Sequence, residues 1–156
     1  FWFPSYARLL DTPAVKVTVS MGLTVIKTLF ALDSGIYQNK IDNGDTVTYF
    51  YEQKIPIPSY LIAIAAGEIE ERVISDRTKV YGEKGVVDLA AYEFEDTENF
   101  IQLAEAYTIP YEWGEYNLLI LPSSFPFGGM ENPTLTFVTP SLISTSFCSG
   151  ITTLKI

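Results

Sequence analysis

"FPFGGMENPTLTFVTP", Phe125 to Pro140, is the stretch on which the reading of this chain turns. Two adjacent glycines, Gly128 and Gly129, precede Met130, Glu131, Asn132 and Pro133, and an alternating, strand-like run follows. Adjacent glycines remove side-chain cover and permit positive φ, so that another backbone can come close. Met130, Glu131 and Asn132 can then run as an extended edge whose N–H and C=O groups pair with a peptide by strand addition. A carboxylate at the end of that edge can take an ammonium group through a charge-assisted hydrogen bond. The same residues also make a plain Gly-Gly turn between two strands, with Glu131 solvated at its tip, and spacing alone favours that turn. Phe125 and Phe127 carry a similar ambiguity, since such aromatics sit in cores more often than on pocket walls.

Outward from this stretch, "YNLLILP" (116–122) reads as a short buried strand and "TLTFVTP" (134–140) as the next one. Before them, "DLAAYEF" (88–94) is long enough for about two helical turns, and "DTENFIQLAEAYT" (96–108) predicts a stronger helix. Phe100, Leu103, Ala104 and Tyr107 fall at i, i+3, i+4 and i+7 and form one apolar face. Asp96 or Thr97 supplies an N-cap, Glu98 suits the first turn, and Pro110 stops the helix. Everything from Ala14 to Tyr81 reads as strand. "VKVTVSMGL" (15–23) alternates, "VIKTLFAL" (25–32) follows after a short turn, and Asn43-Gly44-Asp45 makes a hairpin tip. "TVTYFYEQKIPI" (46–57) is rich in β-branched and aromatic residues, and Pro56 and Pro58 mark an edge or a strand end. "YLIAIAAGEIEERVI" (60–74) begins as a buried strand and turns polar at Gly67, and "TKVYGE" (78–83) is a further short strand. Several strands at this spacing imply an antiparallel sheet or sandwich. The fold class is α+β, with a boundary near residues 84–88.

The bulk composition narrows the possible functions. The 156 residues carry 19 acids against 10 bases, a net charge of −9, which disfavours nucleic acid, since phosphate contacts need clustered Lys and Arg. The acidic balance is compatible with a cationic or amine-bearing partner, although solubility is its plainest meaning. The longest purely apolar run, Leu61 to Ala66, is far short of a membrane span. With Cys148 alone, neither an intrachain disulfide nor a Cys-based zinc cluster can form. No basic-then-apolar signal segment opens the chain. It begins at Phe1 rather than at a methionine, which reads as a fragment or processed piece.

"FPFGGMENPTLTFVTPSL" (125–142) closely resembles the segment that precedes the zinc motif in the gluzincin aminopeptidases, the zinc aminopeptidase family of the leukotriene-A(4) hydrolase and aminopeptidase B type. "DTPAVKVTVS" (11–20), "KIPIPSYLIAIAAGEIE" (54–70), "AYEFEDTENFIQLAE" (91–105) and "YEWGEYNLLILPSSFP" (111–126) resemble further blocks of that family, in family order. The likeness runs from about Asp11 to Leu142. It implies that residues 1–86 close a β-rich N-terminal domain of sandwich or saddle form. Residues 87–143 would begin a thermolysin-like catalytic domain, and residues 144–156 would form an atypical tail.

By that resemblance Glu131 binds the free α-amino group of a peptide, and the backbone of Gly128 and Gly129 lies along the bound chain. Phe127 lines the first side-chain pocket, and Met130 belongs to the same substrate-binding motif. The family's H-E-x-x-H helix would come next, with two His on one helical face binding Zn²⁺ and the Glu activating its water. This chain contains no histidine, and "ISTSFCSGITTLKI" (143–156) shows no helical period. Carboxylates alone suit Mg²⁺ or Ca²⁺ rather than a catalytic zinc. The expectation is therefore a fragment of a zinc metallo-aminopeptidase with no catalytic or metal-ligating residue and no cofactor of its own, inactive alone. Its partner is a peptide N-terminus, its location the cytoplasm, and neither nucleic acid nor a membrane span is involved. The alternative is a non-catalytic structural or interaction subunit docked on a larger assembly, by way of edges left open.

Overall fold

The computed structural model describes residues 12–143; Asp11, Cys148 and the atypical tail 144–156 lie outside the described residues. A long strand, β1 (Lys16–Ile26), pairs antiparallel with β4 (Thr46–Pro58), which also pairs with β3 (Ile36–Asp42), in the order β1-β4-β3. Every second residue of β1 is half-buried and its neighbours are exposed, as the period of two requires. β1 runs unbroken past Leu23, and the turn falls at Lys27 to Leu29 instead. The ladder to β4 holds as far as Ile26 opposite Thr46, so nothing favours an earlier break. The β3–β4 hairpin turns where expected, with Gly44 at φ 90 and Asn43 N–H donating to Thr46 O at 2.9 Å. Pro56 and Pro58 lie beyond the reach of β3, at the end of β4 where only β1 pairs with it.

A small antiparallel pair joins β2 (Phe30–Asp33) to β5 (Ile64–Gly67). The buried strand expected from Tyr60 is not there. Ser59–Leu61 form a 3-10 turn, and β5 has no buried position, with Ile64 52% exposed, because among the described residues β5 pairs with β2 alone.

Among the described residues the remaining strands make one five-stranded sheet in the order β6-β7-β8-β10-β9. These are β6 (Ile69–Val73), β7 (Lys79–Glu83), β8 (Asn117–Ile120), β9 (Gly129–Met130) and β10 (Leu135–Val138). β6 and β9 pair antiparallel with their neighbours, but β7–β8 and β8–β10 run parallel. The antiparallel pairing expected of the strands up to Tyr81 is found in all of their pairings with one another, and the parallel pairs join β7 and β10 to β8, beyond that part of the chain. The link from β7 to β8 passes through two helices, the kind of crossover that parallel strands need. The sheet also spans residues 86 and 87, with β6 and β7 before that line and β8 to β10 after it.

Helix α1 (Val87–Glu93) buries Val87 and Ala90 completely against Val80, Leu118, Ile120 and Val138. On the opposite face Leu32 from β2 packs with Tyr81, Leu119 and Leu135. With both faces covered, all four residues of β8 are buried, which is why it reads as a continuous apolar run. Helix α2 (Thr97–Tyr107) forms as the periodicity predicts, but its cap and its face differ. Asp96 holds the N-cap position without a capping side-chain bond, and the Thr97 hydroxyl donates back to Phe94 O at 2.7 Å. Phe100, Leu103 and Tyr107 are 49%, 56% and 82% exposed. Charged contacts tie α2 down: the Arg77 guanidinium forks onto Glu105 at 3.0 and 2.8 Å and reaches Glu98 at 3.0 Å. No helix among the described residues is long and apolar enough to cross a membrane.

Candidate substrate-binding edge

β9 is the outermost strand of the five-stranded sheet. Met130 stands opposite Phe137 and Gly129 opposite Val138, and no strand among the described residues lies on its other side. An edge strand presents a row of N–H and C=O groups to any chain that comes alongside. The edge opens directly onto Glu131, which is exposed.

The twin glycines play different parts, and neither uses the left-handed freedom that the sequence suggests. Positive φ among glycines is confined to Gly44, Gly85 and Gly114 in the described residues. A Cβ on Gly129 would stand 3.0 Å from the Phe137 carbonyl oxygen, so this glycine allows β9 and β10 to approach. A Cβ on Gly128 would meet nothing within 4 Å. Gly128 therefore faces open space, where an approaching backbone finds no side chain in its way.

Phe127 is 64% exposed and stands edge-on to Phe125, ring centres 5.7 Å apart; Phe125 meets Phe137 in the same way at 6.1 Å. Only Phe125 and Phe137 are partly buried, so the three rings step from the sheet out to the rim. Met130 is half-buried on β9.

What fixes Glu131 is the turn behind it. Leu135 N–H donates to Asn132 O at 3.2 Å, and the buried Asn132 amide donates back to Leu135 O at 3.3 Å. Pro133 occupies the second position, and Thr134, at φ 64, the third, the conformational pattern of a type II turn. Asn117 N–H on β8 donates to Thr134 O at 3.1 Å and ties the turn to the sheet. Thr134 is 2% exposed, and its hydroxyl has no hydrogen-bond partner. A β-branched residue in this region is strained. Sequence reasoning missed Asn132 and Thr134 as supports. The Asn-Pro pair signals a turn, but the third position normally asks for Gly or Asn, and Thr conceals it.

The residues present do not fit a catalytic zinc. The chain has no histidine, and among the described residues no three Cys, Asp or Glu side chains converge. A catalytic zinc takes three protein ligands, in most such sites with imidazole among them.

Residues 92–149 match the peptidase family M1 domain. The chain is 44% identical over 137 residues to leukotriene A-4 hydrolase of Xenopus laevis, covering 86% of this chain and 22% of that protein. It is 47% identical over 136 residues to leucine aminopeptidase 2 of Vanderwaltozyma polyspora, covering 86% of this chain and 20% of the relative. The solved structure of native yeast LTA4 hydrolase superposes with a TM-score of 0.76 at 42% identity, over 86% of this chain and 21% of that one. The chain spans about a fifth of the length of the relatives it matches.

Proposed function

We propose that this chain, a stretch of a family M1 peptidase by sequence and fold, carries the edge on which an aminopeptidase holds the free N-terminus of a peptide. The observation that supports the reading best is the position of β9, an outer strand whose open side leads straight to the exposed Glu131. A peptide laid along β9 gains main-chain hydrogen bonds as an added strand. Its ammonium group then meets the Glu131 carboxylate in a charge-assisted bond. The bare Gly128 leaves room for the incoming chain, Met130 continues the edge, and the exposed ring of Phe127 lines the place of the first side chain. An internal peptide bond offers no ammonium, so this carboxylate selects chain ends. The name of one relative, a leucine aminopeptidase, agrees with that chemistry.

Recognition and hydrolysis separate in this proposal. The family's zinc would need ligands that these residues do not provide, so the chain by itself binds the amine and cleaves no peptide bond. Residues 87–143 begin the catalytic domain and residues 1–86 close the β-rich one, with β6 and β7 lending two strands across that line. The setting proposed is cytoplasmic. The second reading, a non-catalytic interaction subunit, is favoured by one observation: Phe100, Leu103, Tyr107 and Ile109 stand exposed together around α2.

Calorimetric titration with leucinamide and N-acetyl-leucinamide tests recognition. The free amine binds, the acetylated analogue does not, and Glu131→Ala abolishes the difference. Equal binding of the two compounds overturns the role of Glu131. Turnover of an aminoacyl-anilide with stoichiometric zinc in the purified chain overturns the separation of recognition from hydrolysis.

A further inference from the structure

We propose that the cavity between the β3–β4 hairpin and the five-stranded sheet binds a small organic cation, with the carboxylate of Asp33 taking its ammonium head. The site is distinct from the Glu131 edge and draws on none of residues 125–131.

The cavity has a volume of about 210 Å³. Asp33 ends β2 and lines it; the residue is 4% exposed, and its Oδ2 is buried with no hydrogen-bond partner. The backbone around it is fully used. Ser34 N–H donates to Ala63 O at 3.0 Å, the Ser34 hydroxyl accepts from Ala63 N–H at 2.9 Å, and Ser34 O accepts from the Gln53 amide at 3.1 Å. The orphan oxygen is thus no by-product of a loose loop. Gly35 makes room for the carboxylate through its other oxygen, since a Cβ there would stand 3.0 Å from both Asp33 Oδ1 and the Glu52 backbone.

The charges that face this cavity leave Asp33 uncompensated. From β6 and β7, Glu71 and Lys79 come within 3.6 Å of each other. Glu115, ahead of β8, accepts from the Asn117 amide at 3.0 Å. Lys40 of β3 stands exposed at the rim, Tyr37, Tyr49 and Tyr81 also line the wall, and the Tyr51 hydroxyl donates to Ala31 O at 2.7 Å. A buried charge without a partner is costly, and a cation delivered from outside offsets that cost. The walls suit an organic cation. Phe30 meets Tyr49 at 4.9 Å and Tyr81 at 6.0 Å between ring centres, and aromatic faces attract ammonium groups. The volume admits a few heavy atoms and excludes a peptide or a nucleotide. Burial also pushes the Asp33 carboxyl up to about 6, so binding tightens as pH rises through that value.

The test uses the full chain carrying Glu131→Ala, so that an amine response at the β9 edge is not read. Butylammonium chloride is titrated in, with sodium chloride at equal ionic strength as the control and butanol as the neutral isostere. The expected result is a fall of about one unit or more in the Asp33 pKa followed by carboxyl ¹³C NMR, and a rise in the thermal midpoint that Asp33→Asn loses. An unmoved Asp33 resonance, an equal midpoint rise in Asp33→Asn, or an equal response to butanol or sodium overturns the proposal. The resonance is read on the unsubstituted Asp33, so the test stands even where Asp33→Asn fails to fold.

Discussion

Replacing each of the twin glycines by alanine, one at a time, separates two roles that look identical in the sequence. At Gly129 the new Cβ would stand 3.0 Å from the Phe137 carbonyl oxygen, a backbone atom of the paired strand. Comfortable carbon–oxygen contacts begin at about 3.3 Å. β9 must therefore move outward by a few tenths of an ångström, and the two register pairs that hold it, Gly129–Val138 and Met130–Phe137, bear the whole displacement. Overpacking of this kind costs about 1–2 kcal/mol. At Gly128 the Cβ meets nothing within 4 Å and φ is not in the left-handed region, so the change falls within about 0.5 kcal/mol of neutral. Urea unfolding followed by fluorescence measures both, and amide exchange at Met130 reports whether β9 has loosened. Peptide-amide binding should show the reverse order of sensitivity: Gly128→Ala places a methyl group where the peptide is proposed to lie and weakens binding while leaving stability intact. Equal stability losses at the two positions, or a larger loss at Gly128, would refute this account of the edge.

Thr134→Gly relieves a left-handed strain of about 1 kcal/mol and removes a buried orphan hydroxyl worth about 1–2 kcal/mol. Against this stand about 1 kcal/mol for the lost methyl group and about 0.5–1 kcal/mol for glycine flexibility. The net expectation is a protein about 1 kcal/mol more stable, read as a higher urea midpoint; clear destabilisation contradicts the strain argument. Arg77→Met releases α2: its amides exchange faster while those of β8 stay protected, and uniform loss of protection would show that α2 is held by something else. The Arg77 guanidinium and the Tyr111 N–H hold the Glu105 carboxyl down to about 2, from an ordinary 4.5. A depressed carboxyl contributes fully above 4.5, and its contribution is lost only as pH falls toward 2, so α2 should stay docked in mild acid, and the Glu105 carboxyl should titrate closer to its ordinary value in Arg77→Met, as carboxyl ¹³C titration would record. Asp33 has the opposite sign. Burial raises it from 3.8 to about 6, so the native state holds its proton longer and stability declines as pH rises between those values. Asp33→Asn should flatten that decline in thermal midpoints measured across the range, and an unchanged slope counts against the burial of the carboxyl.

Much of the fold is legible in near-neighbour patterns. The alternation in Lys16–Ile26, the Asn43-Gly44 hairpin tip and the apolar run of Asn117–Ile120 each encode their element locally, because side-chain direction follows a fixed period along the backbone. The same holds for the candidate site as a segment. Gly128, Gly129 and Glu131 stand out in the sequence as a glycine pair followed by a carboxylate, and in the structure Gly129 lies on the outer strand β9 with Gly128 and Glu131 flanking it. The helical period of Thr97–Tyr107 likewise predicted the helix but not its packing, since the period says which residues share a face and nothing about what covers it.

By itself, then, the sequence determined most of the strands and both helices, though not the turn after Ile26 or the 3-10 turn at Ser59–Leu61, and it singled out the short segment proposed as the site. The tertiary structure decided what those residues meet. It set Gly129 against the Phe137 carbonyl while leaving Gly128 bare, tied α2 down by Arg77 while leaving Phe100, Leu103 and Tyr107 exposed, drove Thr134 into a left-handed turn tied to Asn117, and closed a cavity over Asp33. The physical reason is distance along the chain. Apart from the Gly129–Phe137 approach, these contacts join residues many positions apart, and even that one depends on how the turn between them folds; burial, strain and close approach arise only when such segments are brought together.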